Sequence, residues 1–135
     1  MENAYVLESD LVLYNLDLIR EYEYSTNYLR MKVDRTDDWR FETNKGTITK
    51  VKVGGTDVHH MFGILYWNKK DSHQLAIDID QDFHNPGGKE KYWDVVALTD
   101  YKQNYSIKVR PVSKGDIIEI DTYNEVKAID PIYNV

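Results

Sequence analysis

Cysteine is absent from this sequence of 135 residues. Its absence excludes a disulfide framework and every zinc site built on thiolates, and it is typical of proteins of the cytoplasm. The N-terminal stretch has no basic region of the kind that opens a signal peptide, because its charged residues are Glu2 and Glu8. The longest apolar run, residues 61–67, is far too short to span a bilayer. We therefore expect a cytoplasmic protein without a membrane partner.

Positive charge is also scarce. Seventeen Lys and Arg residues stand against 23 Asp and Glu residues, and the formal net charge is −6. Proteins that bind nucleic acid neutralise phosphates with Lys and Arg, so we expect no nucleic-acid partner. The chain is rich in aromatic residues instead, with eleven tyrosines and three tryptophans. Aromatic side chains fill protein cores, and they also form cages around cationic ligands.

Two apolar segments, far apart in the chain, end in acidic residues. Residues 5–7 lead into Glu8 and Asp10, and residues 117–120 lead into Asp121. Such apolar runs are typical of buried strands, and in open α/β sheets ligands bind at the carboxyl ends of strands. If the two strands are neighbours, Asp10 and Asp121 converge on one hard cation, and oxygen ligands of this kind suit Mg²⁺. The alternative is that each aspartate only ends a strand.

The rest of the chain alternates between strand and helix patterns. A hairpin turn is predicted at Asn44-Lys45-Gly46 and a break at Gly54-Gly55. Further strands are predicted at 28–34, 39–43, 47–53, 58–67 and 105–109, a polar connection at 35–38, and helices after Asn68, over 91–101 and after Asp121 or Thr122. This order predicts an α/β sheet plus a β-hairpin. We expect one domain, residues 1–135, with a three-layer α/β/α architecture and a mixed, mostly parallel sheet.

Two details of the strand at 58–67 bear on a site. Gly63 lies inside it, and a glycine within a strand often marks the close approach of another backbone or a ligand. His59 and His60 are adjacent, so on a strand they point to opposite faces and do not share a metal ion.

Five motifs, taken in order along the chain, resemble one family. They are Val6-Leu7-Glu8-Ser9-Asp10, Trp39, Gly63-Ile64-Leu65-Tyr66-Trp67, Tyr92-Trp93-Asp94 and Ile118-Glu119-Ile120-Asp121. The family is the Rossmann-like nucleotidyltransferases, and within it the bacterial CTP:phosphocholine cytidylyltransferases. The resemblance spans nearly the whole chain but only the C-terminal half to two-thirds of such an enzyme.

The resemblance implies a partial nucleotidyltransferase fold and a Mg²⁺-dependent transfer of a cytidylyl group from CTP to phosphocholine, which gives CDP-choline and pyrophosphate. It implies that Asp10 and Asp121 are the catalytic and metal-binding aspartates. It also implies that Trp39, Trp93 and Asp94, with Tyr92 beside them, bind the acceptor. The chain would then correspond to the acceptor- and metal-binding part of the enzyme.

The chain departs from the family in lacking the glycine-rich nucleotide loop. Its glycine pairs, Gly54-Gly55 and Gly87-Gly88, match neither a P-loop nor a dinucleotide fingerprint. We therefore expect the chain alone to be inactive. We also expect a homodimer through the strand near Tyr5, because that strand is central in the family and its open edge invites pairing here.

Two other functions stay open from the sequence. The first is a sugar-phosphate nucleotidyltransferase, whose acceptor site would need polar side chains that bind hydroxyl groups. The second is a non-catalytic module that binds a choline-like or nucleotide ligand, or that pairs with another chain.

Overall fold

The computed structural model of the protein describes residues 2–134. These residues form six strands, β1 (Ala4–Leu7), β2 (Leu11–Leu13), β3 (Asn27–Asn44), β4 (Thr47–Trp67), β5 (Lys108–Pro111) and β6 (Ile117–Glu119). The helices are α1 (Lys69–Phe83), α2 (Trp93–Val95) and α3 (Tyr123–Ile129), and α2 continues as a π-helical turn, Val96–Asp100. No helix in this part of the chain is long and apolar enough to cross a membrane.

The central sheet has four strands in the order β1-β4-β3-β5. Strand β4 is antiparallel to both of its main neighbours, whereas β3 and β5 are parallel. The predicted mixed sheet is confirmed, but in residues 2–134 antiparallel pairs outnumber the single parallel one, so the prediction of a mostly parallel sheet is wrong. The reason is that a tight turn, rather than a helical crossover, joins β3 to β4.

The turn between β3 and β4 is the predicted hairpin. Lys45 and Gly46 both have positive φ, 48° and 76°, which is the conformation that tight hairpin turns require. The pairing Asn44↔Thr47 closes the turn. The hairpin prediction at Asn44-Lys45-Gly46 is therefore confirmed.

The hairpin is longer than the sequence pattern predicts. Residues 35–38 and the pair Gly54-Gly55, expected as a connection and a break, lie inside β3 and β4. Gly54 and Gly55 have φ of 68° and 143°, so they bend the strand while Gly55 still pairs with Thr36. These irregularities let the far end of the hairpin fold back on the strand. As a result, Phe41 pairs with both Val51 and His59.

The helices begin and end close to where their capping residues predict. The Asn68 side chain accepts a hydrogen bond of 2.8 Å from Asp71 N–H and starts α1. Thr122 and Glu125 form the predicted capping box at the start of α3. The helix predicted over 91–101 corresponds to α2 and its π-helical continuation. The strand predicted at 105–109 lies slightly later, as β5.

The sheet buries a core on each face. One core lies between the sheet and the helices and includes Trp67, Leu75 and Leu98. The other lies under the β2–β6 pair and includes Ile64 and Ile117. The predicted α/β class is confirmed, but in the described residues this second face is covered by a β-ribbon rather than by helices, so the predicted α/β/α layering is wrong there.

Candidate functional site

Asp10 and Asp121 are brought together by the small sheet, not by the central one. Asp10 directly precedes β2, and Asp121 follows β6 after one residue. The two strands are antiparallel, and Ile120 N–H donates a hydrogen bond of 2.8 Å to the carbonyl oxygen of Asp10. The strand at residues 5–7 is not a neighbour of β6. The expected convergence occurs because the chain turns after β1 and forms a second strand.

A third carboxylate joins the two aspartates. Side-chain oxygens of Asp10, Glu119 and Asp121 all lie within 4.8 Å of one another. Glu119 was not among the predicted metal ligands. Its position two residues before Asp121, on the same face of a strand, was the available signal. Three carboxylates that supply only oxygen are a donor set that fits Mg²⁺.

A cleft of about 280 Å³ lies beside these carboxylates. Five of the six predicted site residues line it. The sixth, Asp121, lies next to two of the lining residues, Asp10 and Glu119. The cleft is lined by Glu8, Asp10, Asp38, Trp39, Met61, Gly63, Tyr92, Trp93, Asp94 and Glu119. The fold thus brings together residues from the connection between β1 and β2, the hairpin, the segment around α2, and β6.

Gly63 allows the floor of the cleft to form. A Cβ atom at this position would lie 1.8 Å from the Glu8 carboxylate, so only glycine lets the Glu8 side chain take its present position. Glu8 N–H also donates a hydrogen bond of 2.9 Å to the Gly63 carbonyl, which holds the two backbone segments side by side. The close approach predicted for a glycine in this strand is made by Glu8.

The aromatic wall combines fixed and exposed rings. Trp93 packs edge-on against the fully buried Trp67, with ring centroids 6.2 Å apart, so its orientation is set by the core. Its remaining surface, 37% of the residue, faces outward, and Tyr92 is 74% exposed. Trp39 belongs to the hairpin rather than to this motif, and its side chain is partly buried. Flat aromatic faces around a cleft are suited to a cationic head group.

The electrostatics of the cleft are strongly negative. Five carboxylates line it, and within the described chain no Lys or Arg does. Burial, together with the neighbouring charges of Asp121, Asp38, Asp10 and Glu8, raises the pKa of Glu119 to about 7. Burial also raises the pKa of Glu8 and Asp94 above their ordinary values. The energetic cost of these crowded charges falls when a cation binds.

A histidine lies beside this acidic region. His60 Nε2 lies 3.6 Å from Glu119 Oε2, and its Nδ1 lies 3.1 Å from Thr36 Oγ1. Burial lowers the pKa of His60, which favours the neutral imidazole. His59, its neighbour in sequence, faces the other side of the sheet as predicted, near Arg30 and Lys32.

Comparison with solved structures defines the class of fold. The protein superposes on the CTP:phosphocholine cytidylyltransferase of Streptococcus pneumoniae with a TM-score of 0.80 at 18% identity, covering 97% of this chain and 57% of that one. It superposes on the nucleoside-diphosphate-sugar pyrophosphorylase of Vibrio cholerae with a TM-score of 0.63 at 9% identity, covering 92% and 54%. The chain therefore has part of the fold of the nucleotidyltransferases.

Comparison of sequences identifies a relative among the cytidylyltransferases. The 2-aminoethylphosphonate cytidylyltransferase of Lancefieldella rimae is 26% identical over 132 residues, which is 96% of this chain and 53% of the relative. The predicted resemblance to the cytidylyltransferases is confirmed. No family model matches the chain. The chain spans about half the length of the relatives it matches.

Proposed function

We propose that this chain forms the acceptor- and metal-binding part of a cytidylyltransferase, which transfers a cytidylyl group from CTP to phosphocholine. The observation that carries the proposal is the cleft in which Trp39, Trp93 and Asp94 lie beside the carboxylates of Asp10 and Glu119. An acceptor of this kind has a cationic head and a phosphate tail. The aromatic and acidic wall suits the head, and a metal ion on the carboxylates suits the tail.

Asp10 and Asp121 would hold Mg²⁺, with Glu119 as a third oxygen ligand. Their oxygens lie within 4.8 Å of one another and include no nitrogen or sulfur donor, so the set fits this ion. When bound, Mg²⁺ neutralises and orients the phosphates for in-line displacement. The part of these residues is to collect negative charge at one point of the cleft, so that the metal and the phosphates meet there.

A second acceptor, 2-aminoethylphosphonate, is favoured by the sequence relative named for it. Its primary ammonium group donates hydrogen bonds, and the cleft offers the carboxylates of Glu8, Asp38 and Asp94. A quaternary ammonium group has no N–H to donate, so it depends on the aromatic faces. A sugar phosphate fits less well, because the residues that line the cleft in the described chain include no Ser, Thr, Asn or Gln.

Calorimetric titration distinguishes these acceptors. We expect phosphocholine to bind in the presence of Mg²⁺ and to change the tryptophan fluorescence. Trp93→Leu should weaken binding by about 2- to 30-fold, because a cation on an aromatic face is worth about 0.5–2 kcal/mol. Tyr24→Leu, a change at a fully exposed tyrosine, is the control and should leave affinity unchanged. Tighter binding of glucose 1-phosphate than of either ammonium compound would overturn the proposal.

Asp94→Asn separates the two ammonium acceptors. If the acceptor is 2-aminoethylphosphonate, this change should weaken its binding more than Trp93→Leu does, because a charged hydrogen bond is lost. If the acceptor is phosphocholine, the order should be reversed.

The chain alone should not catalyse the transfer. Phosphoryl transfer depends on cationic groups that stabilise the triphosphate, and in the described residues the cleft has no Lys or Arg in its walls. Incubation with CTP, phosphocholine and Mg²⁺ should give no CDP-choline. Formation of CDP-choline by the purified chain, lost in Asp121→Asn, would contradict this prediction.

A further inference from the structure

We propose that Asp38, His60 and Glu119 form a second cation site, distinct from the oxygen site of Asp10 and Asp121 and suited to a transition-metal ion such as Zn²⁺ or Mn²⁺. Each of the three offers a ligand atom, and these atoms all lie within 4.8 Å of one another. The residues come from three separate segments, β3, β4 and β6. The proposal does not rest on the proposed cytidylyl transfer, although the two cation sites share Glu119.

The distance between His60 and Glu119 fits two ligands of one ion better than a direct contact. Nε2 and Oε2 are 3.6 Å apart, which is too long for a hydrogen bond. Two ligands at about 2.1 Å from a tetrahedral metal ion are separated by about 3.4 Å. In residues 2–134 neither Asp38 nor Glu119 forms an ion pair with Lys or Arg, so no basic side chain there competes with a cation for these carboxylates.

The surroundings of His60 orient its free nitrogen toward the carboxylates. Thr36 Oγ1 lies 3.1 Å from Nδ1, so a proton on Nδ1 can be donated to the hydroxyl while Nε2 keeps its lone pair for a metal. The same hydroxyl accepts a hydrogen bond of 3.1 Å from Asp38 N–H. Thr36 therefore holds two of the three proposed ligands in place. One Asp38 oxygen accepts from Trp39 N–H, which leaves the other oxygen available.

Ligand type distinguishes this site from the first one, and both sites are open to solvent. Glu119 lines both the aromatic cleft and a second, mainly apolar groove that also includes His60 and Thr36, so an ion can reach the three ligands from solvent. An imidazole among the ligands favours Zn²⁺ and related ions over Mg²⁺. Glu119 also belongs to the oxygen set, so it would bridge the two ions.

Zn²⁺ titration of the full chain in excess Mg²⁺ tests the site, because Mg²⁺ then occupies the oxygen site at Asp10 and Asp121, while Asp38 and His60 stay available for Zn²⁺. We expect one Zn²⁺ to bind. His60→Gln should abolish this binding, and Thr36→Val should weaken it about ten-fold or more, since loss of an outer hydrogen bond typically has that effect. His59→Gln, at the adjacent histidine on the other face, is the matched control and should leave Zn²⁺ affinity unchanged.

Further variants distinguish the two sites and protect the test from misfolding. Asp38→Asn is at an exposed side chain and should also lose Zn²⁺, while Asp121→Asn should lose Mg²⁺ and keep Zn²⁺. Nitrogen-detected NMR should show a Zn²⁺-dependent shift at His60 Nε2. Absence of Zn²⁺ binding by the folded wild-type chain, or equal losses in His59→Gln and His60→Gln, would overturn the proposal.

Discussion

Gly63 and Glu8 determine the shape of the cleft floor. The carboxylate of Glu8 occupies the space that any Cβ at residue 63 would need, at 1.8 Å. The obstructing atoms belong to the end of a flexible side chain, so they can move at low cost. The effect of enlarging Gly63 should therefore appear in ligand binding more than in folding.

Gly63→Ala should push the Glu8 side chain into the cleft. We expect a loss of about 1 kcal/mol or less in the free energy of unfolding, together with weaker phosphocholine binding. In a Glu8→Ala background the same change should have almost no effect on stability, because the two positions are coupled through direct contact. Urea unfolding of the four proteins measures this coupling, and additive effects would show that the contact is not responsible.

Glu119 makes the stability of the metal-free protein depend on pH. Its pKa is about 7 in the folded protein, against an ordinary value of 4.5. Between these values the folded state binds more protons than the unfolded state, so the free energy of unfolding falls as pH rises from about 4.5 to 7 and then levels off. At lower pH both states are protonated and the full stability is retained.

Glu119→Gln should remove this dependence. The expected difference between the two proteins, comparing pH 5 with pH 8, is about 1–2 kcal/mol after allowance for partial solvent screening. Urea unfolding in EDTA gives the measurement. Glu8 and Asp94 contribute with the same sign in both proteins, so they cancel in the comparison. A parallel pH profile for wild type and variant would contradict the assignment to Glu119.

Helix α1 supports the aromatic side of the cleft through its start and its buried face. Asn68 caps the helix by accepting from Asp71 N–H. Further along, the buried carboxylate of Asp78 accepts hydrogen bonds from Asn104 and Tyr105, which tie the helix to the segment after α2. These hydrogen bonds hold α1 against the segment that follows α2, while Trp93 itself packs directly on Trp67 of the central sheet.

Asn68→Ala should destabilise the protein by about 1 kcal/mol, because the first turn loses its cap. Lys70→Ala, at an exposed position in the same turn, is the control and should change stability by less than about 0.5 kcal/mol. Thermal unfolding followed by circular dichroism compares them. Equal melting temperatures for all three proteins would show that the Asn68 cap contributes nothing.

The whole molecule has an open edge at β1. In the described residues β1 pairs with β4 on one side and forms the end of the sheet on the other. Its strand residues include no Lys or Pro that would discourage pairing with another chain, and Leu7 is 46% exposed. Within residues 2–134 no other strand pairs with this edge. The chain spans about half the length of the relatives it matches.

We expect the isolated chain to self-associate through this edge. Leu7→Lys should shift it toward the monomer, because a charged side chain on an edge strand opposes pairing. Val53→Lys, at another exposed apolar residue in the hairpin, is the control and should leave association unchanged. Multi-angle light scattering over a dilution series measures the effect, and a wild-type chain that stays monomeric at all concentrations would contradict the prediction.

Local features of the fold were predictable because short-range chemistry controls them. The cap at Asn68 and the capping box at Thr122 depend on residues three apart, and the turn at Lys45-Gly46 depends on two residues. The strand over residues 35–38 was not predictable, because its polar side chains resemble a loop. Its pairing with the partner strand, between Thr36 and Gly55, comes from the rest of the long hairpin.

The same division holds for the candidate site. The acidic ends after residues 5–7 and 117–120, and the aromatic motif at Tyr92-Trp93-Asp94, were visible as patterns of residue type along the chain. Glu119 and His60 join the site only in the tertiary structure, because β2 pairs with β6 and the hairpin bends over these two strands. Residues as far apart in sequence as Asp38 and Glu119 come together only through the pairing of the strands. Burial of the two hydrophobic cores determines this strand pairing, and it is a property of the whole folded chain.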